Sequence, residues 1–339
     1  MTETRSNPRS LAPVLVAGAI ALALLIAGLL ASLALGAVSF PIGEVIRALL
    51  DRTQDGAARN IVWNLRLPRA LLGAIVGMNL AVAGVLLQGV MRNPVAAPNI
   101  VGVTAGGGLG ATIIIVAFPS AVAGVAPAAF AGAVIAGLIV FVISWQPGIG
   151  TSPVRMVLAG VAVTAILTAV TTFLMVTFSE RVQAVVLWMS GSLVGRSWNE
   201  VVGVWTYALV GVLGALLLAK PLDTLQLGDD VARSLGQRVD TIRFTSIAIA
   251  ALLAGSAVSV AGMIGFVGLI VPHIARMIVG SRHVPLVVVS MIGGAALVVW
   301  SDLAGRLIIA PSEMPAGVIT ALIGGPYFIF LLYKTRMLR

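Results

Sequence analysis

The sequence predicts an all-α polytopic membrane protein of about ten transmembrane helices with an inverted internal repeat. Three observations carry this. Of 339 residues, 59% are hydrophobic and only 10% are charged, too few charges to cover a water-facing surface. Apolar runs close to the roughly 20 residues that a bilayer requires recur along the whole chain. Finally, Val82-Ala83-Gly84 followed by Pro94 returns as Val260-Ala261-Gly262 followed by Pro272, at a constant offset of 178 residues. An odd number of helices separates the two copies, so they enter the membrane from opposite faces, a plan that recurs in transport proteins.

The elements follow in order. Met1–Ser10 is a polar tail bearing Arg5 and Arg9. The apolar run Leu11–Leu35 exceeds the roughly 7–15 residues of a signal-peptide core and reads as a retained first span with its amino end in the cytoplasm. Further spans are predicted at Leu67–Met91, Ile100–Phe118, Pro127–Ser144, Val157–Val176, Val201–Ala219, Phe244–Ala261, Ile264–Val279, Pro285–Trp300 and Ala316–Tyr333, all within one domain, 11–339. In this topology thirteen of the Lys and Arg residues fall inside and eight outside, the bias expected of cytoplasmic loops. The net charge of +9 is therefore topology information, and no nucleic-acid partner is implied. Glycines spaced three or four apart (Gly73/Gly77, Gly102/Gly106/Gly110, Gly262/Gly265/Gly268) predict close helix crossings, because lipid supplies no hydrophobic drive for association.

The densest polar island is Lys220–Arg243, between two spans. It reads as two short helices. Pro221 suits the first turn of one; Gly228, Asp229 and Asp230 open the other, which Gly236 ends. Leu222, Leu225, Leu227, Val231 and Leu235 give it an apolar face. An amphipathic element on the lipid surface is the alternative, but a compact helix–Gly–helix knob favours docking to a protein.

Catalytic chemistry finds no constellation. There is no cysteine, and His273 and His283 lack a second ligand at metal spacing, so no metal site or bound cofactor is expected. The G-G-G-L-G at 106–110 follows no strand, and no G-x-x-x-x-G-K-[ST] loop occurs, so any ATP and Mg would be used by a partner polypeptide. At the outer face, Arg66 and Arg69 stand at the start of the second span, and Asp302 and Arg306 lie four apart near the end of the ninth, with Glu313 beyond. These are either snorkelling arginines with one local ion pair, or a basic ring that receives an acidic partner. An ion-coupled secondary transporter is a competing class, but such proteins keep acids or histidines at mid-membrane, where this chain has none.

Several strings, in order, resemble the FecCD-type permeases of bacterial ABC importers for ferric siderophores, haem and cobalamin. They are R-L-P-R-A-L-L-G (66–73), A-G-V-L-L-Q-G-V-M-R-N-P-V-A-A-P (83–98), S-P-V-R-M-V-L-A-G-V-A (152–162), W-M-S-G-S-L (188–193), L-G-D-D-V-A-R-S-L-G (227–236), G-F-V-G-L-I-V-P-H-I-A-R (265–276) and E-M-P-A-G-V-I-T-A-L-I-G-G-P (313–326). Departures are small: Val95 stands where Leu is commoner, and Ser281-Arg282-His283 where Asp-His-Arg is frequent. The resemblance implies the type II ABC importer permease fold and no catalysis in this chain. It implies four kinds of partner: a second permease subunit (identical or paralogous), two cytoplasmic ATP-binding subunits, a periplasmic or lipid-anchored binding protein, and membrane lipid. By the same resemblance, Leu225, Leu227, Gly228, Val231, Ala232, Leu235 and Gly236 belong to the ATPase-coupling helices at about 220–240. Arg66, Arg69 and Arg306 would meet the binding protein, while Gln88, Arg92, Asn93, Pro94, Thr151 and Ser152 would lie on the translocation path. The implied location is the bacterial cytoplasmic membrane with both termini inside, and the implied cargo a ferric siderophore, with haem or cobalamin as alternatives.

Overall fold

A computed structural model describes residues 12–50, 56–146 and 150–337. The tail 1–10, with Arg5 and Arg9, lies outside the described residues. Helix α1 (Ala12–Ala34) is followed by the short amphipathic α2 (Ile42–Leu50) and one turn, α3 (Ala57–Asn60). A wider π-type stretch, Ile61–Arg66, then feeds α4 (Leu67–Met91), with Pro68 in the first turn, where its missing N–H is harmless. Next come α5 (Val103–Ala117) and α6 (Val125–Ser144). A two-residue antiparallel ladder, Trp145–Gln146 (β1) with Gly150–Thr151 (β2), leads into α7 (Pro153–Thr177). The chain continues through α8 (Val182–Met189), α9 (Trp198–Leu225), α10 (Asp229–Ser234), α11 (Val239–Ala261), α12 (Val267–Val279), α13 (His283–Ile308) and α14 (Ala316–Met337).

Among the described residues seven helices are long and apolar enough to cross a membrane, joined by three shorter apolar ones, Val103–Ala117, Val267–Val279 and Ala316–Leu331. The core sits on α4 and α11. Of their most apolar stretches, 78% and 72% are buried, against 17% for α1 and 22% for α7. α4 packs on α11, α12 and α13, and on the last two it does so through glycine. A Cβ at Gly84 would lie 1.9 Å from the Gly268 carbonyl oxygen, and one at Gly77 2.0 Å from that of Gly294. The helix backbones therefore touch directly, as small-residue packing in lipid allows. Gly106 likewise meets Gly132 and Gly110 meets Ala128, pairing α5 with α6. Gly102 instead caps α5 with φ +77°, Gly262 caps α11 with φ +71°, and Gly265 faces open space.

Four expectations need correction. The polar island holds one short helix, not two. Pro221 lies inside α9, which runs on to Leu225 because Leu222 and Leu225 are fully buried there and outweigh the lost backbone bond. Of the supposed single apolar face, Leu222 and Leu225 point inward, whereas Leu227, Val231 and Leu235 point outward. Span nine does not stop at Trp300: α13 continues to Ile308 and carries Asp302 and Arg306 in buried positions. His283 is no loop residue but the buried first residue of α13. In addition, the 178-residue offset pairs unlike places, since Gly84 is mid-helix whereas Gly262 ends one.

Candidate functional site

Two polar clusters lie at opposite ends of the bundle, separated by the 25 residues of α4, about 37 Å of helix. Each is assembled from side chains distant in sequence.

At the Arg66 end the clustering starts from helix termini. Arg66, placed by the π-type stretch, donates to the carbonyls of Leu33 (2.7 Å), Ala34 (3.1 Å) and Val38, satisfying the open C-terminal end of α1. The Phe40 ring lies 5.1 Å from its guanidinium carbon. Arg69 grips Asp302 in a fork (Nε to Oδ2 2.9 Å, Nη2 to Oδ1 2.8 Å) and donates Nη1 to Glu313 at 2.8 Å. Arg306 donates to Ser32 Oγ at 2.6 Å and lies 3.5 Å from Asp302. The expected free basic ring is thus a largely internal network, with Arg66 and Arg306 each only 7% exposed. It walls a cavity of about 380 Å³ whose charged lining is Arg66, Arg69, Arg196, Arg306 and Glu313. Arg196 was not singled out from sequence. Burial pushes its guanidinium below the ordinary value, with Glu200 acting the other way. Glu200 is fixed by a capping box with Ser197, which starts α9, and Trp198 ties that start to the Trp63 carbonyl at 3.0 Å.

Asp302 is the shared anion of this cluster. D302N leaves two guanidiniums facing each other with side-chain exposures of 12% and 6%, and the expected cost is about 3 kcal/mol. E313Q, at a third-exposed position, is expected to cost under about 1 kcal/mol. Thermal unfolding of the detergent-purified variants checks the order; equal melting points would remove Asp302 from this role.

At the α10 end the clustering converges on Asp229. Its carboxylate accepts from Arg92, the left-handed cap of α4, and from Arg243 of α11 at 3.0 Å. Arg243 also donates to the Thr151 carbonyl, while Thr151 N and Oγ1 donate to Asp240 at 3.0 and 3.1 Å. Asp223 of α9 accepts from the His283 backbone N–H at 2.8 Å and lies 2.6 Å from its Nδ1, capping α13. Arg276 donates to Gln88 at 3.1 Å, holding the buried amide beside α12.

Of the residues expected on the path, Arg92 and Thr151 share this network. Gln88 forms a separate pair, Asn93 folds back onto Val95 N at 3.1 Å with Pro94 in the same turn, and Ser152 starts α7 without a side-chain cap. Of the coupling set, Leu225 and Ala232 are buried anchors, and Gly228 (φ +113°) and Gly236 (φ +81°) make the turns. Leu227, Val231 and Leu235 remain exposed at 64%, 43% and 62%. Sequence reasoning misses Asp229 and Arg243 as site residues; the signal that could find them is an arginine early in an apolar helix, which demands an anion. Among the described residues no group of three or more His, Cys, Asp or Glu is placed to hold a metal.

The chain is similar to known proteins over nearly its whole length. The family model described as the FecCD transport family matches residues 24–334. The Fe(3+)-citrate import system permease protein YfmE of Bacillus subtilis (strain 168) is 38% identical over 330 residues, 97% of each chain. The hemin transport system permease protein HmuU of Yersinia pestis is 36% identical over 320 residues, 91% of this chain and 94% of its own. An ABC transporter assigned to the metal-chelate type, solved in an inward-facing conformation, superposes with a TM-score of 0.83 at 29% identity, covering 94% of this chain and 98% of that one.

Proposed function

This chain belongs to the FecCD transport family, and from that premise we propose that it is the permease subunit through which an ATP-driven importer moves a metal chelate, most specifically a ferric siderophore. It is a transport permease and not an enzyme; ATP is hydrolysed elsewhere. The observation that carries the reading is the α10 knob: Leu227, Val231 and Leu235 stand uncovered on an element clipped into the bundle through Asp229. A greasy patch on a rigid polar knob is a docking surface for a folded protein.

The seven long and three shorter apolar helices make ten crossings, in two inverted units built around α4 and α11. The α10 end and both termini face the cytoplasm, where two ATP-binding subunits grip one knob on each of two permease subunits. The opposite end, with Arg69, Arg196 and Glu313 around its cavity, receives the periplasmic or lipid-anchored binding protein. Cargo passes unchanged, as in a permease that carries out no catalysis. ATP-dependent closure of the partner subunits tilts the knobs and switches access from one face to the other.

Ferric chelate is preferred over haem and cobalamin because permeases named for ferric citrate, achromobactin and ferric hydroxamate stand among the relatives. An ion-coupled transporter would need a free mid-membrane acid, whereas the mid-helix polar residue of α4 is Asn79, bonded to Ser256 at 3.0 Å. The test is uptake of radiolabelled ferric chelates, haem and cobalamin by a deletion strain carrying this chain. Iron chelate is expected to accumulate, and to stop doing so when the partner ATPase loses its Walker lysine. Uptake that survives that lesion would end the ATP-driven reading, and uptake of haem or cobalamin alone would replace the cargo.

A further inference from the structure

We infer that Arg243 is the positioning residue that links the α10 knob to the Thr151 turn, so that displacement of α10 releases the start of α7; this rests on the reading of α10 as the ATPase dock. Arg243 is among the largest fully buried side chains. Its two terminal nitrogens reach different elements. Nη2 donates to Asp229 in the first turn of α10 at 3.0 Å, and Nη1 donates to the Thr151 carbonyl and lies 3.4 Å from Thr151 Oγ1. Thr151 ends the β1–β2 ladder one residue before Ser152, the residue from which α7 starts.

The three elements differ in freedom. α11, which carries Arg243, is buried in the core, whereas α7 lies at the rim of the bundle and α10 is a six-residue turn of helix on its surface. A fixed guanidinium thus holds one loose element with each hand. Only arginine has the rigid planar fork to do so; a lysine ammonium can satisfy one side at a time. Burying a full charge for stability alone is a poor choice, since apolar side chains of similar volume hold cores as well. Asp229 is also the anion of Arg92, so a shift of α10 unloads the caps of α4 and the Thr151 turn together.

The test uses the complete importer in proteoliposomes, with binding protein and ATPase subunits, and reads cargo moved per ATP hydrolysed. R243Q and D229N are each expected to lower that ratio about tenfold, and R243K to restore it only in part. A second readout uses the absence of cysteine: S152C provides a single maleimide site. Its labelling rate is expected to change with nucleotide in the parent chain and to become independent of nucleotide once D229N is added. Should R243Q fail to assemble, D229N decides: asparagine keeps the volume and an acceptor oxygen for the buried Arg243 at a quarter-exposed position, and the variant's melting point separates lost coupling from lost stability. An unchanged ratio together with nucleotide-dependent labelling in D229N overturns the linkage. Failure of the parent chain to couple ATP to uptake would instead overturn the docking reading on which it rests.

Discussion

The double variant L227D/L235D is expected to insert and fold normally yet to lose its ATPase partner. Both side chains are about two-thirds exposed in the isolated chain, so replacing them costs the fold under about 0.5 kcal/mol each. In a complex they would be covered, and each covered leucine contributes about 1.5–3 kcal/mol. Two carboxylates in their place must also be desolvated without partners, which raises the total loss beyond about 5 kcal/mol, more than a thousandfold in affinity. Co-purification stoichiometry and the melting point of the variant alone are the two measurements. Full ATPase stoichiometry would show that the knob docks nothing.

G84L is expected to yield no folded protein. The Cβ alone would fall 1.9 Å from the Gly268 carbonyl oxygen and 2.6 Å from its carbon, and both are backbone atoms of a neighbouring helix. No rotamer change relieves a collision with backbone, so α4 and α12 must separate, at an expected cost above about 3 kcal/mol. G203L, at a glycine of α9 with no neighbour within 4 Å, is the control and should behave like the parent chain. Size-exclusion profiles in detergent compare the two; a monodisperse G84L peak at normal yield would refute the close crossing.

Hydropathy made the spans legible, and punctuation made some boundaries legible. The second span ends at Met91 as expected, where the next residue is charged, but its helix reaches back without a break through the π-type stretch to Ala57, ahead of the expected start at Leu67. Where the reading failed, a contact distant in sequence had overruled a local sign. Pro221 looks like a helix start, but the buried faces of Leu222 and Leu225 hold α9 together through it. Asp302 and Arg306 look like the polar end of a span, yet Arg69, 233 residues before Asp302, neutralises the acid and lets α13 continue.

The knob is legible as a polar island that carries its own leucines. Which of them face outward is not, because α10 spans six residues, too few for a helical period to fix a face. The bond from Arg243 to Thr151 joins residues 92 apart, and Arg92 meets Asp229 across 137. No periodicity encodes such pairings; only the folded bundle brings them together.

The glycine crossings of α4 with α12 and α13 bear on how this protein meets bilayers of different thickness. Helices in peptide-to-peptide contact cannot slide along one another, so that trio keeps a constant height. When the surrounding lipid thins or thickens, the adjustment falls on α1 and α7, the helices least covered by the rest of the chain. Membrane composition would therefore retune the outermost helices, one of which begins at Pro153 beside the Thr151 turn, while the centre stays unaltered.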